Sequence, residues 1–266
     1  MTVLLRRAML TMGCALICGS VALAAPAPSA TPVPLSAAKP IRRLLYSFTY
    51  GSSSDLSVHG SGIGASSGGK GPSSGGNASG ISRFRAGLSD RGTIGVDVLR
   101  VQPDTGLIVR VWEHAWKTRS AAPATCVVYG NTNVICDPAK KVNVEEFTLL
   151  RFLGKNFINP VEIGPKGGWK IDNTGPVMSM KNHFRILKNV KGVMQIHETA
   201  VLTRKGARPM TATTDGKISY DAPRSVPLSI FEDTITRERK SIRQYEKLTT
   251  QIQLNLVHDS MAAVKS

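Results

Sequence analysis

The segment near the C-terminus alternates between two kinds of side chain. Between residues 248 and 256, apolar residues fall on one side of an extended chain and polar residues on the other. The apolar set is Leu248, Ile252, Leu254 and Leu256, and the polar set is Thr249, Gln251, Gln253 and Asn255. A repeat of two is that of a β-strand with one face packed and one face in water. The pattern predicts an antiparallel sheet covered on one face.

Two hairpins extend the same pattern. Residues 93–102 and 107–117 flank Pro103-Asp104-Thr105-Gly106, whose Pro, Asp and Gly are typical of a turn. Residues 184–188 and 193–202 flank a second turn at 189–192. The returning arm of this second hairpin carries Met194, Ile196, Ala200 and Leu202 on one side. Both hairpins favour a mainly antiparallel fold.

One segment has the period of a helix instead. Asn143 is a suitable N-cap with Glu146 three residues later, and Gly154 marks the end. The wide apolar stripe between them consists of Phe147, Leu149, Leu150, Phe152 and Leu153. A helix this apolar must be covered, and the concave side of a curved sheet can cover it. The predicted fold is therefore mainly β (α+β), a curved antiparallel sheet or half-open β-barrel with one helix packed across it.

The first 24 residues have the pattern of a cleavable secretory signal peptide. Arg6 and Arg7 precede an uncharged apolar run, and the small residues Ala22 and Ala24 suit cleavage before Ala25. A membrane anchor is the alternative, but the run falls short of the roughly 18–20 strongly apolar residues that a spanning helix needs. We expect export to a periplasm or to the cell exterior, and no transmembrane segment in the mature chain.

Composition divides the mature chain into a tether, a domain and a tail. Residues 25–40 are rich in Ala and Pro and predict an extended tether. Residues 41–260 are interpreted as a single antiparallel β domain, and residues 261–266 as a C-terminal tail. Within the domain, residues 51–80 are dominated by Gly and Ser and are expected to form a long loop between strands.

The mature chain is strongly basic. Its 242 residues carry 32 basic and 18 acidic side chains, a net charge of +14. Such a charge favours anionic partners, here a lipid or other anionic amphiphile or an envelope polymer, whereas export disfavours nucleic acid. A generally basic surface is the alternative, because Lys and Arg are scattered and the densest group, residues 237–243, is interrupted by an acid. The sequence indicates no oligomeric state.

Two cysteines remain after the signal peptide is removed. Cys126 and Cys136 bracket two β-rich arms around a turn at 130–132, so the two residues fall opposite each other in a hairpin. Opposed Cα atoms lie about 4.5–5.5 Å apart, within the range of a disulfide. An oxidising compartment would preserve the bond. The spacing predicts a disulfide, and two free buried thiols are the alternative.

Motifs for catalysis and metal binding do not have the context that their chemistry needs. In the Gly/Ser-rich segment, residues 64–68 and 71–75 match the spacing of a nucleophile elbow, but no helical pattern follows them. The five histidines lack the short spacing typical of a metal site. We therefore assign no catalytic residue, no metal site and no cofactor from the sequence.

One strand carries a set of candidate ligand-binding side chains. Arg110, Trp112, His114 and Trp116 are spaced by two residues, so they share one side of the 107–117 strand. A row of indole rings with a polar handle could stack on a sugar or line an apolar pocket. The alternative is that the tryptophans belong to the core, because Leu107, Val109 and Val111 on the opposite side are also apolar.

These patterns favour an exported, non-enzymatic binding or envelope protein. We expect it to hold an amphipathic or anionic ligand on the curved sheet, on the face that the helix only partly covers, with Trp112 or Trp116 meeting the apolar part. An exported hydrolase is the first alternative and requires Ser, His and Asp to converge in the fold. A structural or adhesive surface module is the second alternative, suggested by the tether and the Gly/Ser-rich segment.

Overall fold

The computed structural model describes residues 39–59, 81–102, 106–117, 122–129, 132–154, 157–158, 163 and 167–261. The predicted signal peptide, the predicted tether up to residue 38, the stretch 60–80 and the tail beyond residue 261 lie outside the described residues. Among the described residues, no helix is long and apolar enough to span a bilayer.

The strands form a single open antiparallel sheet. They are β1 (Arg42–His59), β2 (Ile81–Gln102), β3 (Gly106–Ala115), β4 (Ala124–Val128), β5 (Val134–Cys136), β6 (Gly168–Thr174), β7 (Met178–Val190), β8 (Val193–Arg204), β9 (Met210–Asp221), β10 (Val226–Ser241) and β11 (Gln244–Asp259). Their order is β5-β4-β3-β2-β1-β11-β10-β9-β8-β7-β6. The first and last strands therefore pair with each other near the centre, and β5 and β6 form the two edges. The predicted fold class is confirmed.

The helix lies in the segment that connects the two edge strands. Helix α1 (Val144–Arg151) follows β5, and the chain then continues to β6 at the opposite edge. Asn143 is its N-cap and donates its backbone N–H to the Glu146 carboxylate at 2.7 Å. Gly154 has a φ of +91°, a left-handed conformation that glycine adopts readily, and it follows the last turn. The predicted start of the helix is confirmed, whereas the helix ends at Arg151, two residues before the predicted last residue Leu153.

The two predicted hairpins are confirmed, and three of their four strands, β2, β7 and β8, are longer than expected. β2 pairs with β3, and β7 pairs with β8. The β7–β8 turn consists of Lys191 and Gly192, whose φ values are +51° and +83°. Positive φ at both central positions is the geometry of the tight turns that join antiparallel strands.

The predicted Gly/Ser-rich loop does not begin at residue 51. Residues 51–59 are not loop but the second half of β1, where they pair with β2 on one side and with β11 on the other. Backbone hydrogen bonds to two neighbouring strands stabilise this stretch although its side chains are small. The rest of the predicted loop, residues 60–80, lies outside the described residues.

The hydrophobic core lies on one face of the sheet, which we call the inner face. On β1, Leu44, Tyr46 and Phe48 are almost fully buried on this face, together with Leu149 and Leu150 of the helix. The opposite face is called the outer face. Since successive residues of a strand point to opposite faces, the register assigns strand residues to one face or the other except at the bulges.

Aromatic rings attach the segment after the helix to the inner face. The ring centroids of Phe157 lie 5.7 Å from Trp169 and 5.3 Å from Phe184. The Tyr220 hydroxyl donates to the Gly154 carbonyl oxygen at 2.6 Å. These contacts hold the connection against strands β6, β7 and β9.

The predicted disulfide is present. Cys126 on β4 and Cys136 on β5 are direct partners in the register, and their sulfur atoms are bonded with Cα atoms 4.0 Å apart. The Cα separation is somewhat shorter than expected. The bond ties the three-residue edge strand β5 to its neighbour.

Candidate functional site

In the described part of the chain, the core covers one half of the inner face. The core extends along β1 as far as Phe48, with Tyr50 packed against it, and Ser52, Ser54 and Leu56 lie beyond it. On the neighbouring strand β11 it includes Ile252 but not Leu248. We call this second part, which reaches to the β8–β9 and β10–β11 turns, the open half.

Two rows of residues form the surface of the open half. In cross-strand order the first row is Ser52, Thr250, Thr234, Thr214, Ala200 and Asn182. The second row is Ser54, Leu248, Thr236, Ala212, Leu202 and Met180. Six strands spaced by about 4.8 Å make this surface about 24 Å wide.

Most of these side chains are only half-buried, although they lie on the inner face. Hydroxyl groups dominate the first row, and the Thr214 and Thr234 hydroxyls lie 2.9 Å apart. The second row adds Leu and Met side chains. A half-exposed surface that alternates methyl and hydroxyl groups can contact an amphipathic molecule through both apolar and polar atoms.

A buried charge cluster separates the covered half from the open half. Arg151 at the end of α1 contacts Glu198 of β8 at 2.5 Å and Glu232 of β10 at 3.4 Å. Gly216 lies between these two carboxylates in the register, and a Cβ there would lie 3.1 Å from Glu198 Oε2. Glycine at this position therefore leaves room for both carboxylates.

Two carboxylates share one guanidinium in this cluster. Burial and the charge of Glu198 raise the pKa of Glu232 to about 7, against the opposing effect of Arg151. The desolvation of an ionised carboxylate disfavours its charged form, so this pair of carboxylates binds a proton more readily than an exposed glutamate does.

Asn182 is the first-row residue at the β7 end, and it is fully buried. Neither polar atom of its side-chain amide has a hydrogen-bond partner in the described part of the chain. An unpaired buried amide costs roughly 1–3 kcal/mol. The floor of the open half therefore has donor and acceptor capacity that a polar ligand atom or a water molecule could satisfy.

An ion-pair network forms the rim of the open half. Lys240 Nζ lies 2.7 Å from Glu238 and 2.8 Å from Glu246, and Arg204 contacts Glu238 at 2.8 Å. The Ser54 hydroxyl donates to Glu246 at 2.7 Å. Burial raises the pKa of Glu246, but the hydrogen bonds from Lys240 and Ser54 outweigh burial and lower it overall. The four charged side chains of this network therefore balance one another.

A second acidic group lies at the start of the helix. Glu113, Glu145 and Glu146 are all buried, and the Asn143 side-chain amide donates to Glu113 at 2.9 Å. Burial raises the pKa of Glu146 to about 8, with smaller contributions from the charges of Glu113 and Glu145.

The structure places three of the four predicted binding residues on the outer face. Arg110, Trp112 and His114 lie on β3, and Val109 and Val111 between them are buried in the inner-face core. The expectation that Trp112 lines the face partly covered by the helix is therefore wrong, because the alternation of β3 turns its ring the other way. Arg110 instead contacts Asp97 across the outer face at 2.7 Å.

The fourth residue, Trp116, follows the end of β3 and is 73% exposed. The guanidinium carbon of Arg91 lies 4.2 Å from the centre of its ring. Trp112 packs against Gly95, where a Cβ would lie 2.0 Å from the indole. A role in binding for Arg110, Trp112, His114 and Trp116 stays a prediction.

Sequence reasoning missed the residues at the floor of the open half. Glu198 falls between Ile196 and Ala200 on the apolar side of β8, and a charge in that position is a signal that the sequence contained. Asn182 falls in the same way between Met180 and Phe184 on β7, whereas Arg151 gave no comparable signal. Within the described residues, no group of three or more His, Cys, Asp or Glu side chains is arranged to hold a metal ion.

Comparisons with known proteins identify no family. No protein-family model and no curated protein matches the sequence. Among solved structures, the chain is similar to lipovitellin in a structure concerned with lipid–protein interactions, with a TM-score of 0.46 and 12% sequence identity. The similarity covers 86% of this chain and 26% of the lipovitellin chain, so the chain spans about a quarter of that protein's length.

Proposed function

We propose that this protein is an exported, non-enzymatic binding protein that holds an amphipathic, anionic ligand on the open half of the inner face. The observation that carries the proposal is that the core covers one half of this face and leaves rows of half-buried Leu, Met and Thr side chains on the other half. Soluble sheets ordinarily bury such a face, so a ligand is a natural cover for it.

The chemistry of the two rows suggests the orientation of the ligand. Leu202, Leu248 and Met180 would contact its apolar part, and the Asn182 amide would contact a polar atom near the floor. Its anionic group would lie toward the β8–β9 and β10–β11 turns, where Arg208 and Arg243 are exposed. An anion there gains from the net positive charge of the chain.

Export is part of the proposal and rests on two observations. Residues 1–24 have the pattern of a signal peptide, and Cys126 and Cys136 form a disulfide. Disulfides persist in oxidising compartments such as a periplasm or the cell exterior. Both observations fit a protein that works outside the cytoplasm.

The binding test uses neighbouring residues that point to opposite faces. Leu202→Gln places an amide in the open half, whereas Val201→Gln makes the same kind of change on the outer face, where Val201 is 42% exposed. Titration with a fluorescent fatty-acid analogue should show affinity roughly tenfold weaker for Leu202→Gln, because an apolar contact is lost. Val201→Gln should bind like the unchanged protein.

Native mass spectrometry of protein purified from the exported fraction provides an independent readout. A co-purifying lipid that is lost in Leu202→Gln and retained in Val201→Gln is the expected result. If the folded, unchanged protein binds neither anionic nor zwitterionic amphiphiles at low salt, the proposal is wrong.

A further inference from the structure

Two neighbouring hairpin turns form a strongly basic projection at the open end of the sheet. We call residues 204–209, at the β8–β9 turn, and residues 237–247, at the β10–β11 turn, the basic tip. These residues contain eight basic and two acidic side chains, a net charge of +6. Basic residues from two segments that are separate in the sequence are therefore brought together here by the fold.

Hydrogen bonds hold the two turns together. The Arg239 backbone N–H donates to the Pro209 carbonyl oxygen at 3.0 Å. Arg204 joins the turns as well, because its guanidinium donates to the Arg208 carbonyl oxygen at 3.0 Å and to Glu238 at 2.8 Å. The basic tip is thus a single ordered surface.

The exposed cations of the basic tip lack counter-ions in the described part of the chain. No ion pair is formed there by Lys205, Arg208, Arg237, Arg243 or Lys247. At the opposite end of the sheet, Arg42 contacts Asp259 at 2.6 Å and Arg224 contacts Asp221 at 2.7 Å. In the described part of the chain, the basic tip therefore brings five cations without an ion pair together on two adjacent turns.

An exposed apolar side chain lies on the basic tip. Ile242 is 80% exposed at the β10–β11 turn, and Tyr245 is 45% exposed beside it. The Arg239 guanidinium carbon lies 5.9 Å from the centre of the Tyr245 ring. A shallow open groove between the two turns is lined by Gly206, Ala207, Pro209, Arg239, Ile242 and Arg243. An exposed isoleucine surrounded by Arg, with a tyrosine alongside, is the composition of a surface that meets lipid head groups.

We propose that the basic tip docks the protein on the anionic surface of a lipid bilayer. Ile242 enters the head-group region, and the exposed Arg and Lys side chains contact lipid phosphates. Charge complementarity identifies this partner, because each basic residue near an anionic membrane contributes attraction that salt screens. The inference goes beyond the proposed function, since it concerns a membrane surface and not the ligand of the open half.

The test is co-sedimentation of the full mature chain with lipid vesicles. The probe vesicles contain phosphatidylcholine with about one quarter phosphatidylglycerol, and pure phosphatidylcholine vesicles are the neutral comparison. We expect binding to the anionic vesicles only, weakening as salt rises. Arg208→Gln with Arg243→Gln should reduce the partition coefficient roughly tenfold or more. Ile242→Ser should reduce it as well, by several-fold.

Matched controls separate docking from a general effect of charge. Lys170→Gln with Lys188→Gln removes the same charge from exposed positions on β6 and β7, and Val190→Ser removes an exposed apolar side chain at the other end of the sheet. Both controls should bind vesicles like the unchanged protein. Equal losses in the tip pair and the control pair would overturn the proposal.

Two further outcomes contradict the proposal. If Ile242→Ser leaves vesicle binding unchanged while soluble dextran sulfate abolishes it, the tip recognises a polyanion and not a membrane. If Leu202→Gln abolishes vesicle binding, the open half and not the tip holds the lipid. If the protein binds the fatty-acid analogue but not the anionic vesicles, the docking proposal is wrong and the proposed function is unaffected.

Discussion

The buried guanidinium of Arg151 has to compensate two carboxylates at once. Its side chain is 13% exposed, and the side chains of Glu198 and Glu232 are 0% and 5% exposed. Removing one partner from a buried ion pair costs about 3–5 kcal/mol, because the remaining charge is left in a medium of low polarity. The cluster thus couples the end of the helix to strands β8 and β10.

We predict that Arg151→Met strongly destabilises the protein. The melting temperature should fall by about 10 °C in a domain of this size. Combining Arg151→Met with Glu198→Gln and Glu232→Gln should restore most of the loss, since the uncompensated charges are removed as well. Arg237→Met, at an exposed position, is the control and should change little. A melting temperature unchanged by Arg151→Met alone contradicts this interpretation.

Glu146 makes stability depend on pH in an unusual direction. Its pKa is raised from 4.5 to about 8 by burial and by neighbouring carboxylates, so the folded state binds more protons than the unfolded state between these values. Stability therefore falls as pH rises through this window. Gln can replace the protonated acid and keep the contact to the Asn143 backbone.

We predict that Glu146→Gln raises the melting temperature near pH 8.5 and leaves it almost unchanged near pH 5, because the variant has no charge to bury. Thermal unfolding at both pH values measures the difference. Glu246→Gln is the control with the opposite sign, since the pKa of Glu246 is lowered on folding and its charge stabilises the fold above the unfolded value. It should lower the melting temperature at neutral pH. The same sign for both variants would contradict the assignment.

Among the elements, strand β5 depends most on a covalent bond. It has three residues, lies at the edge of the sheet and is joined to β4 by the disulfide between Cys126 and Cys136. We predict that Cys126→Ala with Cys136→Ala lowers stability by roughly 2–3 kcal/mol, the loop-entropy contribution of a short closed loop. Denaturant unfolding measures this loss. Thiol labelling of the unreduced, denatured mature protein should detect no free thiol, and two reactive thiols per chain would contradict the bond.

Elements with local signals could be predicted from the sequence. The β2–β3 hairpin, the β7–β8 hairpin and the helix that follows Asn143 are each specified by a few neighbouring residues. Residues 51–59 could not be predicted, because Gly and Ser indicate a loop locally, whereas pairing with β2 and β11 makes them a strand. A run of small side chains has no alternating apolar pattern, so a strand formed by backbone pairing cannot be recognised in it.

The candidate site was predictable only in outline. The short helix and the wide sheet indicated that part of one face stays uncovered. Alternation showed that Trp112 and Val111 point to opposite sides of β3, but not which side faces the core. The side is decided by the helix and by the other strands, which are distant in sequence. Arg151 and Glu232, separated by 81 residues, meet for the same reason.

At the scale of the whole molecule, β1 and β11 join two parts of the sheet. Strands β2–β5 lie on one side of this pair, and strands β6–β10 lie on the other. The connection from β5 to β6 also joins the two parts through α1 and the rings of Phe152 and Phe157. We therefore propose that residues 41–260 behave as one cooperative domain.

Leu254→Ala tests this cooperativity, because Leu254 is fully buried and lies opposite Phe48 of β1 and Ile230 of β10. A cavity at this position should cost about 2–5 kcal/mol.

Two sets of tryptophan variants report on the two parts of the sheet separately. Trp169→Phe leaves only the two indoles at and after β3, and Trp112→Phe with Trp116→Phe leaves only the indole on β6. We predict that Leu254→Ala lowers the unfolding midpoint equally in both. Val257→Ala, at an outer-face position that is 62% exposed, should shift neither by more than about 0.5 kcal/mol. Separate midpoints in the two backgrounds would show that the two parts unfold independently.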